Sequence, residues 1–142
     1  MTTKTVRHDV LGPWSLATSQ AFWEGFAPAA LGGQRQGTLT TVFRVDADWS
    51  AAQLTVLQQG AVADVTVTGE GDLEAAEAQA MQFLALDVDA REWPEVGRRD
   101  EVIARAQHQL PGLRPCGFHS AYEAAAWSVL SQRVRVTQAA RL

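Results

Sequence analysis

Cysteine is almost absent from this chain. Cys116 stands alone in 142 residues, which excludes an internal disulfide and any multi-cysteine metal cage. Such usage fits the reducing interior of a cell. Long hydrophobic runs are missing too: no stretch approaches the ~18 apolar residues that a membrane-spanning helix needs. The start, Met1-Thr2-Thr3-Lys4-Thr5-Val6-Arg7-His8-Asp9, is polar and has no apolar signal core behind its basic residues. A water-soluble protein of the cytoplasm is the expectation. There are no internal repeats and no low-complexity tract. The length allows one domain with a real core, burying roughly 70% of the unfolded surface, and leaves no room for a second complete one.

Positive charge is scarce in the first two thirds. Residues 1–90 carry Lys4, Arg7, Arg35 and Arg44 against eleven acids, a net of −7, whereas residues 91–142 carry eight arginines against five acids, a net of +3. The overall charge of −4 hides this division. A polyanion-contacting surface confined to one end would produce such asymmetry, and so would a solvated basic face without a partner.

What is present is strand signal followed by helix signal. Trp14 to Ala17, after Gly12-Pro13, reads as a short strand or extended lead-in. Thr18 or Ser19 is placed to cap a helix carrying Phe22, Trp23 and Phe26, which ends at Pro28 and Gly32-Gly33. From Gly37 to Val45, Leu39, Thr41, Phe43 and Val45 alternate with Thr40, Val42 and Arg44. The same period of two recurs over 53–59 and 62–68. Short, turn-rich connections make an antiparallel meander the economical arrangement, because parallel crossovers need more chain.

Asp72 opens a long helix with acids in its first turn and a stripe of Leu73, Ala76, Ala80, Phe83 and Leu84. Trp93-Pro94 reads as a break. Asp100 opens another helix, with Val102, Ile103, Ala106 and Leu110 expected inward. Pro111 to Phe118 is a loop. Ser120-Ala121-Tyr122-Glu123 forms a capping box, starting a helix expected to bury Tyr122, Ala126, Val129 and Leu130. A kink or break is expected around Gln132 to Val134, then a second helix with apolar positions Val134, Thr137 and Ala140 and little chain left to cover them. Strands grouped before helices indicate an α+β fold: a small antiparallel sheet domain over 1–90, backed by the helix at 72–85, and the beginning of a helical layer over 91–142.

The stretch from Gly112-Leu113-Arg114-Pro115 through Tyr122-Glu123 to Ser131-Gln132-Arg133-Val134 resembles the opening of the helical domain in the DNA-3-methyladenine glycosylase II family. These are alkylation-repair members of the helix-hairpin-helix DNA glycosylases. Gly25-Phe26, the strand-rich region and the helix after it also occur in the family's order. The resemblance implies hydrolysis of the N-glycosylic bond of alkylated bases, flipped from double-stranded DNA into an aromatic-lined cleft. It implies no metal and no organic cofactor.

Carried over by position, Phe26 falls at an aromatic facing the base pocket, with a plain core role as the alternative. Gln132 falls at the glutamine closing the first helix near DNA, with a helix-end cap as the alternative. Arg133 replaces the apolar wedge of some relatives and suits a phosphate or minor-groove contact better. Arg135 and Arg141 are either phosphate contacts or solvated.

The helix-hairpin-helix with its Gly-x-Gly loop and the aspartate that stabilises the sugar cation have no counterpart in residues 1–142. The expectation is therefore the front portion of a glycosylase, inactive by itself and without catalytic residues of its own. Asp87 and Asp89 sit in a turn that local capping explains. The Cys116/His119 spacing supplies two potential ligands and no metal site. The alternative is a non-catalytic α+β binding or dimerisation module.

Overall fold

Residues 1–25 and 37–139 are described by the computed structural model. Phe26, Pro28, Gly32, Gly33, Ala140 and Arg141 lie outside them. The elements run β1 (Thr2–Asp9), α1 (Leu16–Glu24), β2 (Thr38–Arg44), β3 (Ala51–Gln59), β4 (Val62–Gly69), α2 (Leu73–Phe83), α3 (Trp93–Arg99), α4 (Glu101–Gln109), α5 (Ala121–Leu130) and α6 (Val136–Ala139). The fold is α+β. Its four-stranded sheet is antiparallel throughout, in the order β1-β4-β3-β2.

The expected meander is present as β2, β3 and β4. Alternation sends Leu39, Thr41, Phe43, Ala52, Leu54, Val56, Ala63, Val65 and Val67 to one buried face. Gly60, at φ +64, makes the tight turn that pairs Gln59 with Val62. Asp72 caps α2 by accepting from the Ala75 amide at 3.0 Å, and Ala76, Ala80 and Phe83 seal the sheet. Full burial of a side chain such as Leu54 contributes about 1.5–3 kcal/mol.

β1 is a strand that the alternation test passes over. It lies at the sheet edge, and its half-buried residues are Lys4, Val6 and His8, of which only Val6 is apolar. Ionic and hydroxyl contacts replace hydrophobic ones. Lys4 Nζ meets Glu77 at 2.6 Å and also Glu74, His8 Nε2 lies 2.9 Å from Glu77, and on the opposite face Thr3 and Thr5 join Thr68 and Thr66, each at 3.0 Å.

Several local readings are corrected. Trp14 to Ala17 is not a strand, since α1 begins at Leu16 with Ser15 as its cap, three residues ahead of Thr18. Gln58 fixes that start, accepting from the Leu16 amide at 2.7 Å and donating to the Trp14 carbonyl at 3.1 Å. Phe22 is half-exposed, while Trp23 is buried. Trp93-Pro94 begins a helix instead of breaking one, because proline in the first turn has no N–H to lose. On α4 and α5 no residue is buried. Val102, Leu110, Tyr122, Val129 and Leu130 are exposed, although Tyr122 meets Trp49 edge-on at 5.1 Å. The expected break after Gln132 is present, followed by α6.

Candidate nucleic-acid interface

Three segments meet at Arg114. Gly112 takes φ +67, and a Cβ there would stand 2.7 Å from both the Ser15 nitrogen and the Trp14 carbonyl carbon. That close approach lets the Ser15 amide donate to the Gly112 carbonyl at 2.8 Å. Two residues on, the Arg114 side chain turns inward and is only 4% exposed. Its guanidinium donates to the carbonyls of Ala85 (2.6 Å), Val88 (2.8 Å), Leu11 (2.6 Å) and Pro13 (3.2 Å). Its backbone amide donates to Ser19 Oγ at 3.1 Å. Burial pulls its pKa below the ordinary arginine value, and the charges of Asp89 and Asp87 oppose that shift. The Gly-Leu-Arg motif thus clamps the loop onto the sheet domain, with the Arg114 guanidinium taken up by backbone carbonyls.

Immediately beyond, His119 is inserted into an aromatic slot. Its ring stacks on Phe83 (centroids 4.1 Å apart) and Phe43 (5.5 Å) and meets Trp23 edge-on (5.8 Å). Gln79 Nε2 donates to the His119 carbonyl at 2.7 Å and to that of Arg44 at 2.8 Å, joining the end of β2 to the start of α5. The capping box is modified in its reciprocal half. Ser120 Oγ accepts from the Glu123 amide at 3.0 Å, but the Glu123 carboxylate accepts from the His119 amide, one residue ahead of the cap. Burial pushes the Cys116 thiol up to about 12, which marks it as inert, and no cluster of metal-ligating side chains occurs among the described residues.

At the far end of α5 the chain turns sharply. The Ser131 amide caps back to Trp127 at 2.9 Å, Gln132 follows, and Arg133 adopts φ +58, a left-handed conformation uncommon for a non-glycine residue. Arg135 then leads into α6, its amide donating to Gln138 Oε1 at 3.2 Å. Gln132, Arg133 and Arg135 are all exposed on this one turn. Phe26 lies outside the described residues.

The basic excess of the second segment is smaller in space than in sequence. Arg91 pairs with Asp89 at 2.6 Å, Arg98 with Glu95 at 2.6 Å, and Arg114 is spent inside. Arg133 and Arg135 have no ion pair among the described residues. Arg114 and His119, which organise this region, carry no sequence signal of burial, since both are polar residues in a Pro/Gly loop.

Between the α3–α4 pair and the loop around Arg114 lies a cleft of about 610 Å³, lined by Val88, Trp93, Ala106, Leu110, Leu113 and others. It is mostly apolar, and α4 turns Ala106 and Leu110 toward it.

No protein-family model matches the chain, and no curated protein matches it by sequence. Solved structures match in fold. The 3-methyladenine DNA-glycosylase from Archaeoglobus fulgidus superposes with a TM-score of 0.68 over 95% of this chain and 47% of that one, at 15% identity. The structure of MBOgg1 in complex with a low-affinity DNA ligand gives 0.55 over 99% of this chain and 46% of that one, also at 15% identity. The chain therefore has a DNA glycosylase fold and spans about half the length of these two proteins.

Proposed function

We propose that this chain supplies the sheet domain and the opening helices of a base-excision DNA glycosylase that hydrolyses the N-glycosylic bond of alkylated bases of the 3-methyladenine type. The observation that carries the reading is the glycosylase fold of the chain, taken together with the motif resemblance in its sequence. The Gly112–Arg114 clamp, the capped start of α5 and the arginine-bearing turn at Gln132 to Val134 occur in the order that the sequence resemblance implies. Double-stranded DNA is the proposed partner, and the cytoplasm the proposed location.

In this reading Gln132, Arg133 and Arg135 form the DNA-facing turn. Arg133 supplies a phosphate or minor-groove contact where some relatives insert an apolar wedge. Phe26 belongs to the base pocket. Charge stabilisation at the breaking bond comes from an aspartate for which residues 1–142 offer no candidate. Binding of this chain to a duplex carrying an abasic-site analogue is the test. Association that weakens steeply with added salt supports the reading. No binding at low salt, up to protein concentrations of order 100 μM, overturns it.

A second reading is favoured by one observation: α4 and α5 expose apolar faces. A non-catalytic interaction or dimerisation module would use them. Sedimentation equilibrium separates the two, because a stable dimer indifferent to DNA belongs to the second alone.

A further inference from the structure

We propose that His119 is an acid-labile latch, holding the first turn of α5 against the sheet while its imidazole is neutral and releasing it on protonation. The geometry fixes the neutral ring's tautomer. Nδ1 lies 3.3 Å from Glu123 Oε2, a carboxylate oxygen that can only accept, so Nδ1 carries the hydrogen. Nε2 is then the acceptor, 3.4 Å from the Thr41 hydroxyl. A second proton makes Nε2 a donor, which the Thr41 hydroxyl can accept, and puts a full charge in a slot that Phe43, Phe83 and Trp23 largely shut off from water, the side chain being 11% exposed.

The groups facing His119 come from four elements: Thr41 and Phe43 on β2, Trp23 on α1, Gln79 and Phe83 on α2, and Glu123 on α5. Glu123 alone among them carries charge, and its side chain is 40% exposed against 11% for His119. A solvated carboxylate compensates a buried cation only in part. Burial accordingly holds the imidazole below the ordinary histidine value of 6.5, with Glu123 opposing. Because the folded value is depressed, the stability this residue contributes is complete above the unfolded pKa and is lost as pH falls through the folded one.

What opens is local. The His119 amide donates to Glu123 at 3.2 Å, its carbonyl accepts from Gln79, and Ser120 caps the helix directly after it. Expelling the charged ring from the aromatic slot pulls on all three. The latch stands independently of any role in DNA repair.

The experiment follows the His119 ring and the backbone amides of the 142-residue chain by NMR from pH 8 to pH 4.5. An unfolded peptide spanning residues 115–123 provides the reference titration. The expected result is a His119 midpoint below that of the peptide, with exchange protection of the His119, Glu123 and Ala124 amides lost in the same range while the Val56 and Val65 amides stay protected. Glu123→Gln should lower the midpoint further, since the one opposing charge is gone. A midpoint at or above that of the peptide overturns the latch. So does first-turn protection that is constant through the titration, or loss of sheet protection in step with it, which would mark global unfolding.

Discussion

The Arg114 guanidinium donates at 2.6 Å to the carbonyl of Ala85, a residue held at φ +51. That pairing joins the end of α2 to the loop that launches the helical layer. Ala85 occupies the left-handed position of a Schellman cap: its amide bonds to Gln82 at 3.0 Å, and the amide of Leu86 bonds to Met81 at 2.9 Å. The cap turns the carbonyls of Ala85 and Val88 toward one point, and Arg114 fills it.

Arg114 is therefore expected to be the costliest loop residue to replace. Arg114→Met leaves the carbonyls of Ala85, Val88 and Pro13 without this donor, while that of Leu11 keeps the Ala90 amide at 2.9 Å, and should destabilise the chain by about 3–5 kcal/mol, since each buried polar group left unpaired costs roughly 1–3 kcal/mol. Arg114→Lys should recover little, because an ammonium has no planar fork to reach carbonyls on separate segments. Urea denaturation followed by tryptophan fluorescence measures both. A loss under about 1 kcal/mol for either variant contradicts the clamp.

Ala85 makes the opposite prediction. A β-carbon at positive φ costs roughly 1 kcal/mol, which glycine removes, while glycine's greater freedom when unfolded returns about 0.4–1 kcal/mol. Ala85→Gly should thus leave stability unchanged or slightly raised. Ala80→Gly, in the buried centre of α2, should lower it by about 1 kcal/mol or more. Equal losses at both positions would contradict the cap.

Cys116 tests the packing of the same loop chemically. Its thiol is pushed up to about 12 by burial, so almost no thiolate exists at pH 8. Iodoacetamide should modify the native chain at least tenfold more slowly than the urea-unfolded chain. Equal rates would mean that the loop does not seal the thiol.

The sheet was legible where burial is one-sided and apolar. β2, β3 and β4 alternate cleanly because their inner face meets α2 and α1. β1 was illegible for the reason that makes it an edge: its half-buried side is served by Lys4 and His8 reaching Glu77, and ion pairs leave no hydrophobic period. The stripes expected to face inward on α4, which is amphipathic, and on α5, which is apolar nearly all round, are not buried, since a run of apolar positions does not supply what packs on it. At the candidate interface, the turn after Gln132 was readable from the β-branched residues that follow it. The inward turn of Arg114 was not, because four backbone carbonyls that converge only in the folded chain leave no mark on the residue types around them.

Arg133 carries the sharpest functional prediction. Its φ of +58 strains arginine and alanine alike, so Arg133→Ala removes the charge while leaving the backbone cost nearly unchanged. If the turn at Gln132 to Val134 faces DNA, the substitution deletes about one phosphate or minor-groove contact. The slope of log K against log salt should then flatten by roughly 0.9, and Arg133→Lys should restore most of it. Arg135, one residue past the turn, should show a similar effect if it shares the contact and none if it is solvated. Binding isotherms on an abasic-analogue duplex at several salt concentrations decide the matter. Superimposable curves for wild type and Arg133→Ala would remove this turn from the DNA interface, even if the chain still binds DNA elsewhere.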